Sequence, residues 1–144
     1  MKDETTGEDV VDSSGLGFAY NFGDAAFKIN YLATENNNRD GVEILDLKAL
    51  GYGLDYKWSA KNTATIAYYV NKDDAPTTDA KTKSLVISNE YTMGEATTLY
   101  AALASVDADA GMSAVSQFAT SIVASPAPVG ETTTLVNVGV NFAF

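Results

Sequence analysis

The side chains of this chain that could do chemistry are carboxylates, amides, hydroxyls and lysines, because the sequence contains no Cys and no His. Thiolate and imidazole nucleophiles, the Ser-His-Asp triad and the usual zinc ligand sets are therefore excluded. Chemistry that uses carboxylates alone remains open. The Asp107–Gly111 segment resembles part of a calcium loop but lacks a third oxygen ligand and the closing Glu. We expect no catalytic residue, no metal site and no cofactor.

A second group of polar side chains is more informative, because these residues recur at every second position and alternate with apolar ones. In an extended strand, a period of two places all of them on one face. Such a face offers hydration and weak charge selection instead of catalysis. The candidate residues, which we interpret as lining a pore, are Lys28, Asn30, Asp55, Lys57, Tyr69, Glu90, Asn137 and Asn141.

Seven segments show this alternation and predict the strands that position the polar residues. In the clearest of them, Val136, Val138 and Val140 alternate with Asn137 and Gly139. Every charge in the middle of a predicted strand falls on the polar side, while the opposite side is apolar and aromatic. The predicted strands cover residues 16–22, 25–34, 50–59, 63–71, 84–93, 97–105 and 136–144.

Soluble β-sandwiches and membrane β-barrels both show alternation of this kind. Here the polar side is rich in Gly, Ala, Ser and Asn, whereas Lys and Glu usually solvate a soluble sheet. The sequence therefore favours a transmembrane barrel. No stretch reaches the ~20 apolar residues of a membrane helix, and the net charge of −10 without a basic cluster argues against nucleic-acid binding.

The connections alternate between short and long, which gives the strands an orientation. Tight turns are predicted near residues 23–24, 60–62 and 94–96, and long outer loops at 35–46, 72–83 and 107–131. Short periplasmic turns and long external loops are typical of outer-membrane barrels. The N-terminal segment and the three long loops carry the whole net charge of −10. The outer mouth is therefore expected to concentrate cations and to bind divalent ions together with lipopolysaccharide.

Aromatic residues cluster at the end of the strands where the tight turns lie. Rings with an apolar body and a polar rim favour the membrane interface. The expected periplasmic girdle consists of Phe22, Phe27, Tyr56, Trp58, Tyr91, Phe142 and Phe144.

The end of the chain resembles the signal by which the barrel-assembly machinery recognises outer-membrane proteins. The matching residues are Asn137, Gly139, Phe142 and Phe144. The hairpin over residues 51–71, with a Tyr-Lys-Trp-Ser strand end and a Lys-Asn-Thr turn, is similar to the repeated hairpin of general Gram-negative porins, and Glu95–Ala102 repeats that theme. The resemblance covers roughly residue 16 to the end and is strongest after Gly51.

This resemblance implies a 16-stranded, trimeric porin that is integral to the outer membrane and lets small polar solutes and ions diffuse passively through a water-filled lumen. The expected fold is all-β, an antiparallel up-and-down transmembrane barrel. Residues 1–15 would form an outer loop or N-terminal segment, and residues 16–144 would supply about seven strands. The chain would then be the C-terminal portion of a porin, an arc of the larger barrel. Implied partners are outer-membrane lipid, lipopolysaccharide, the barrel-assembly machinery and other copies of the chain.

Two alternatives stay open at this point. A further strand within Val115–Val123, or pairing of the N-terminal residues, would give a small closed barrel of eight strands with a structural or adhesive role and no conductance. A constriction loop and an arginine ladder, which set selectivity in the family, normally lie in the earlier half of a porin and cannot be placed in this sequence. The only Arg is Arg39, in a predicted outer loop, so no arginine ladder can be carried over. An outer-membrane hydrolase is disfavoured because His is missing.

Overall fold

The computed structural model of the protein describes residues 11–37, 43–75, 80–109 and 132–143. Seven β-strands account for nearly all of these residues. They are β1 (Val11–Phe22), β2 (Ala25–Asn37), β3 (Glu43–Ser59), β4 (Asn62–Asp73), β5 (Ala80–Thr92), β6 (Thr97–Ala108) and β7 (Thr132–Phe142). In the described part of the chain, no helix has the length and hydropathy that crossing a membrane requires.

All seven strands belong to one sheet, in which each strand pairs antiparallel with the next along the chain. The predicted all-β, up-and-down architecture is thereby confirmed. Among the described strands the sheet is open, with β1 and β7 as its edges. The extra strand of the eight-stranded alternative would come from Val115–Val123 or the N-terminal residues 1–10, and both segments lie outside the described residues.

The two faces of the sheet follow from the register of the strands. One unbroken cross-strand row consists of Tyr20, Phe27, Leu54, Ile66, Ile87, Leu103 and Val136. We call the face that carries this row the apolar face. The adjacent row on the opposite face, which we call the polar face, consists of Asn21, Ala26, Asp55, Thr65, Ser88, Ala102 and Asn137.

The exposed fractions of the side chains show that the apolar face, and not the polar face, is left uncovered. Val138 is 74% exposed, and even Leu54, in a central strand, is 39% exposed. The buried apolar residues, among them Ala67, Val86 and Ala104, lie on the opposite face. A soluble protein rarely leaves an apolar surface of this extent open to water. The arrangement suits a sheet whose apolar face contacts the hydrocarbon core of a membrane.

The tight turns form where the local sequence permits a sharp reversal. Gly23 between β1 and β2 has a φ of +63°, and Gly94 between β5 and β6 has a φ of +133°. L-residues with a side chain rarely adopt such angles. Between β3 and β4, the Ser59 hydroxyl oxygen accepts hydrogen bonds from the backbone N–H groups of Lys61 at 3.3 Å and Asn62 at 3.1 Å. All three turns lie at one end of the sheet, which we call the turn end.

At the other end, which we call the loop end, the strands run several residues beyond their predicted limits. β1 begins at Val11 instead of residue 16, and β3 begins at Glu43 instead of residue 50. The physical reason is that ladder hydrogen bonds join backbone groups and continue whatever the side chains are. Side chains such as Asp12 and Lys48 interrupt the apolar alternation on which the prediction relied.

Candidate functional site

The structure places all eight residues that were predicted to line a pore on the polar face of the sheet. None of them is buried. The exposed members are Lys28, Asn30, Lys57, Glu90 and Asn141, and the half-buried ones are Asp55, Tyr69 and Asn137. The sheet therefore presents a polar, partly exposed wall with charges of both signs. That these residues line a pore stays a prediction.

A charged cluster occupies the turn-end half of this wall. The Lys28 ammonium lies 2.5 Å from the Asp55 carboxylate, which also accepts a hydrogen bond of 2.8 Å from the Thr65 hydroxyl. Gly53 lies directly opposite Lys28 in the register of β2 and β3. Sequence reasoning named Lys28 and Asp55 separately but missed Thr65, because only the strand register shows that Thr65 lies opposite Asp55.

Next to this cluster the wall forms an open depression of about 340 Å³. Its polar lining residues are Asn21, Asp24, Asp55, Lys57 and Thr63. A depression with this lining can hold water and small polar solutes. In the described ranges, no group of three or more acidic side chains is arranged to hold a metal ion.

Two tyrosines on the polar face lie across glycines of the neighbouring strand. Tyr69 is directly opposite Gly51, and a Cβ atom at that glycine would lie 2.9 Å from the tyrosine ring. Tyr100 is directly opposite Gly139, where a Cβ atom would come even closer to the ring carbon Cζ and to the hydroxyl oxygen. Real Cβ atoms do not approach other atoms this closely, so both glycines make room for an aromatic ring. Sequence analysis named Gly139 for a different reason and missed Tyr100, since the pairing depends on register.

Part of the polar face is dry, which differs from the expectation that the whole face contacts water. Over the middle and loop end of β4–β6, small apolar side chains are buried, with Leu47 and Leu135 packed against them. They are Ala67, Ala80, Val86, Ala104, Val106 and Ala108. Small side chains were interpreted as a sign of a wet wall, but they equally allow close packing.

Four polar side chains lie within this dry patch, and one of them, Asp73, accepts hydrogen bonds of 3.1 Å from the backbone N–H groups of Asp46 and Ala75. Asn71, Thr82 and Ser84 are each at most 5% exposed. Each has a side-chain atom without a hydrogen-bond partner in the described part of the chain, namely the Asn71 Nδ2 and the two hydroxyl oxygens. Asn71 and Thr82 face each other in the register of β4 and β5. Unpaired buried polar atoms of this type are uncommon in folded proteins.

At the turn end, the apolar face carries the predicted aromatic girdle. Phe22, Phe27, Tyr56, Trp58 and Phe142 are exposed there and Tyr91 is half-buried, while Phe144 lies outside the described residues.

Asn89 is the one polar residue between Leu85 and Tyr91 on the apolar face of β5, and side chains at the turn end satisfy its hydrogen bonds. Its amide oxygen accepts a hydrogen bond of 2.9 Å from the Trp58 indole, and its amide nitrogen donates one of 3.2 Å to Asn62. The polar residue therefore costs little free energy on this face, because both its amide oxygen and its amide nitrogen are hydrogen-bonded.

The loop end of the apolar face is charged instead of aromatic. The Lys48 ammonium lies 2.8 Å from Asp46 and 3.3 Å from Asp74, and Lys72 also pairs with Asp74. Lys72, followed by Lys48, lowers the pKa of the Asp74 carboxyl below its usual value. Sequence analysis did not predict this network, which joins strands β3 and β4 across their register.

The residues of the predicted assembly signal divide between the two faces of β7. Asn137 and Gly139 lie on the polar face and Phe142 on the apolar face. The Ala143 backbone N–H donates a hydrogen bond of 2.8 Å to the carbonyl oxygen of Ala96, which fastens the strand end to the last tight turn. The recognition role of these residues stays a prediction.

Comparison with known proteins gives consistent results. A family model described as Gram-negative porin matches residues 2–111. Among solved structures, the chain is similar to an anion-selective porin from Comamonas acidovorans, with 22% identity and a TM-score of 0.77 over 93% of this chain and 39% of that chain. It is also similar to the outer-membrane expressed OmpT of Vibrio cholerae, with 16% identity and a TM-score of 0.73 over 92% of this chain and 41% of that one. No curated protein matches by sequence.

The low sequence identities and the partial coverage of the two solved structures limit the conclusions that these matches support. At these identities the structural likeness shows the fold, and the chain spans about two fifths of the length of both structures.

Proposed function

The chain belongs to the Gram-negative porin family of integral outer-membrane proteins, and from this premise we propose that it forms part of the wall of a water-filled channel for passive diffusion of small polar solutes and ions. The observation that carries the proposal is the two-sided sheet. Its uncovered apolar face suits lipid, and its opposite face holds exposed Lys28, Lys57 and Glu90. Such a wall supports a channel and not an enzyme.

The number of strands supports a larger barrel than these strands form alone. In an up-and-down sheet of seven strands, β1 and β7 run in the same direction. They cannot pair with each other antiparallel, so an all-antiparallel barrel needs an odd number of additional strands. A 16-stranded wall meets this requirement, and bacterial barrels of this class have even strand numbers. We propose that the described sheet is an arc of such a wall.

The remaining parts of the proposal concern orientation and partners. We place the turn end at the periplasm and the loop end at the cell surface, as in other outer-membrane barrels. The acidic N-terminal segment and loops would then surround the outer mouth and bias it weakly towards cations. We further propose assembly by the barrel-assembly machinery, association into a homotrimer and contact with lipopolysaccharide, all of which follow from the family resemblance.

One observation favours a second candidate, a barrel that anchors or adheres without conducting. The dry patch around Val86, Ala104 and Val106 shows that the polar face is not wet everywhere. A fully packed interior would extend this patch over the whole face. The exposed charges of β2 and β3 argue for the channel, and conductance separates the two candidates.

Planar bilayer recording of the folded full-length protein tests the channel. We expect stepwise conductance that rises with salt concentration. Removing two acidic side chains of the polar face, D55N with E90Q, is expected to shift the cation-to-anion permeability ratio roughly twofold towards anions, because fixed wall charges select ions electrostatically. Reversal potentials in a salt gradient measure the ratio.

The matched control removes two acidic side chains from the apolar face at the loop end, D12N with E35Q, and should leave the ratio unchanged. Absence of conductance steps from well-folded protein would rule out the channel in favour of the anchoring barrel. An equal shift in both double variants would show that Asp55 and Glu90 do not line the pore.

A further inference from the structure

The dry patch on the polar face is more deeply buried than a single sheet achieves alone. Ser84 is 0% exposed, Ala104 1% and Val106 2%, although the described strands form one layer. When nothing packs on one face of an antiparallel sheet, the side chains of that face contact water. Lys57 and Asn141, elsewhere on the polar face, are exposed in this way. Part of the protein must therefore cover the patch over the middle and loop end of β4–β6.

The depth of the patch limits which part of the chain can cover it. The patch runs from Ala80 and Ala108 at the loop end down to Val86 and Ala104. Val86 lies six residues along β5 from Ala80, a distance of about 20 Å at about 3.4 Å per residue. Residues 76–79, which join β4 to β5, number only four and are fixed at the loop end on both sides. They are too short to reach the deeper side chains.

The remaining segments outside the described strands differ in reach and composition. Residues 38–42 join β2 to β3 in only five residues. Residues 1–10 precede β1, which is four strands away from β5, and include four acidic residues. Residues 110–131, by contrast, connect β6 to β7 directly beside the patch, to which both strands contribute side chains. Their 22 residues can span roughly 70 Å when extended, so they can reach the deep end of the patch and return.

The composition of residues 110–131 matches the patch. The segment has a single charged residue, Glu131, and apolar side chains recur along it. The largest of these are Met112, Val115, Phe118, Ile122 and Val123. Ser, Thr and Gln residues lie between them and carry hydroxyl and amide groups. The unpaired side-chain atoms of Asn71, Thr82 and Ser84 need hydrogen-bonding groups from the element that covers them. The segment therefore offers both kinds of contact that the patch requires.

We propose that residues 110–131 fold back into the barrel and pack against the dry patch, instead of forming the outer loop that the sequence pattern predicts. This packing leaves the wall of β1–β3, where Lys28 and Lys57 are exposed, open to water. The dry patch is then a local feature of the polar face and not the start of a filled interior. The inference goes beyond the proposed function and holds whether or not the barrel conducts.

Thiol accessibility in the folded full-length protein tests this packing, since the sequence has no native Cys. The S84C substitution changes a single atom within the patch, and E90C places a cysteine at an exposed position on the same face of the same strand. We expect S84C to react with a charged thiol reagent about tenfold or more slower than E90C. Replacing residues 112–129 with a short Gly-Ser linker should raise the S84C rate about tenfold or more and leave the E90C rate unchanged.

The matched control replaces residues 38–42 with five Gly and Ser residues and should leave S84C protected. Fast reaction of S84C in the protein with its segments intact would overturn the proposal, because the patch would then be open to water. Continued protection of S84C after removal of residues 112–129 would overturn it as well, and would assign the cover to another part of the barrel or to a second copy of the chain.

Cysteines within the segment keep the proposal testable should the shortened variant misfold. In the full-length protein, F118C and I122C should be protected as strongly as S84C, because both side chains would lie against the patch. An outer loop would expose them, and reaction of both at the rate of E90C would contradict the packing. Conductance is recorded separately, so a covered patch in a protein that does not conduct contradicts only the channel.

Discussion

Replacing Ile87 with arginine is expected to lower the free energy of unfolding in the membrane by about 2–4 kcal/mol, the cost of an Arg on the lipid face at the bilayer midplane. Ile87 lies in the continuous apolar row between Ile66 and Leu103 and is 48% exposed. A protein whose free energy of unfolding is roughly 5–15 kcal/mol loses a large part of its stability through such a change. Urea unfolding of the protein in lipid vesicles, followed by Trp58 fluorescence, measures the loss.

The matched control is the same substitution at the next residue. Ser88 lies on the polar face between Thr65 and Ala102, so the S88R variant should fold nearly as well as the wild type and change the conductance instead. If I87R were harmless and S88R unfolded the protein, the apolar face would have to be the packed one.

A valine at position 139 is expected to destabilise the protein by about 1–3 kcal/mol, as overpacking typically does. The added side chain would overlap the Tyr100 ring, which lies across Gly139. Valine at Gly17 is the matched control, because that glycine lies on the polar face of the other edge strand and an added Cβ would meet nothing within 4 Å. Refolding yield and urea unfolding of both variants measure the difference.

The double variant Y100A with G139V separates packing from recognition. If Gly139 serves only to accommodate the tyrosine ring, shortening Tyr100 should restore much of the lost stability. If Gly139 also belongs to the assembly signal, refolding in vitro should recover while insertion in cells stays impaired. Full stability of G139V alone would contradict the packing argument.

Sequence reasoning predicted the strands and their faces well, because alternation depends only on neighbours along the chain. Leu54 and Asp55 could be assigned to opposite faces without knowing any other strand. Interactions between strands were not predictable in this way. The Lys28–Asp55–Thr65 cluster and the Tyr100–Gly139 contact both require the register, which hydrophobic alternation leaves undetermined.

Two further features escaped prediction for different reasons. The charged ends of β3–β5 looked like loop sequence, since Lys48, Lys72 and Lys81 break the apolar pattern while the backbone ladder continues through them. The dry patch around Val106 was missed because small side chains fit a wet wall and a packed one equally. Burial, which no single strand encodes, decides between the two.

The most direct test of the account is a cysteine scan of residues 52–57 in the folded full-length protein, since this chain has no native Cys. A charged thiol reagent that cannot enter lipid is applied to the protein in a bilayer while conductance is recorded. We predict that cysteines at Gly53, Asp55 and Lys57 react and alter the current, whereas cysteines at Tyr52, Leu54 and Tyr56 do not. Reaction at the second set with silence at the first, or no alternation at all, would contradict a water-filled channel lined by the polar face.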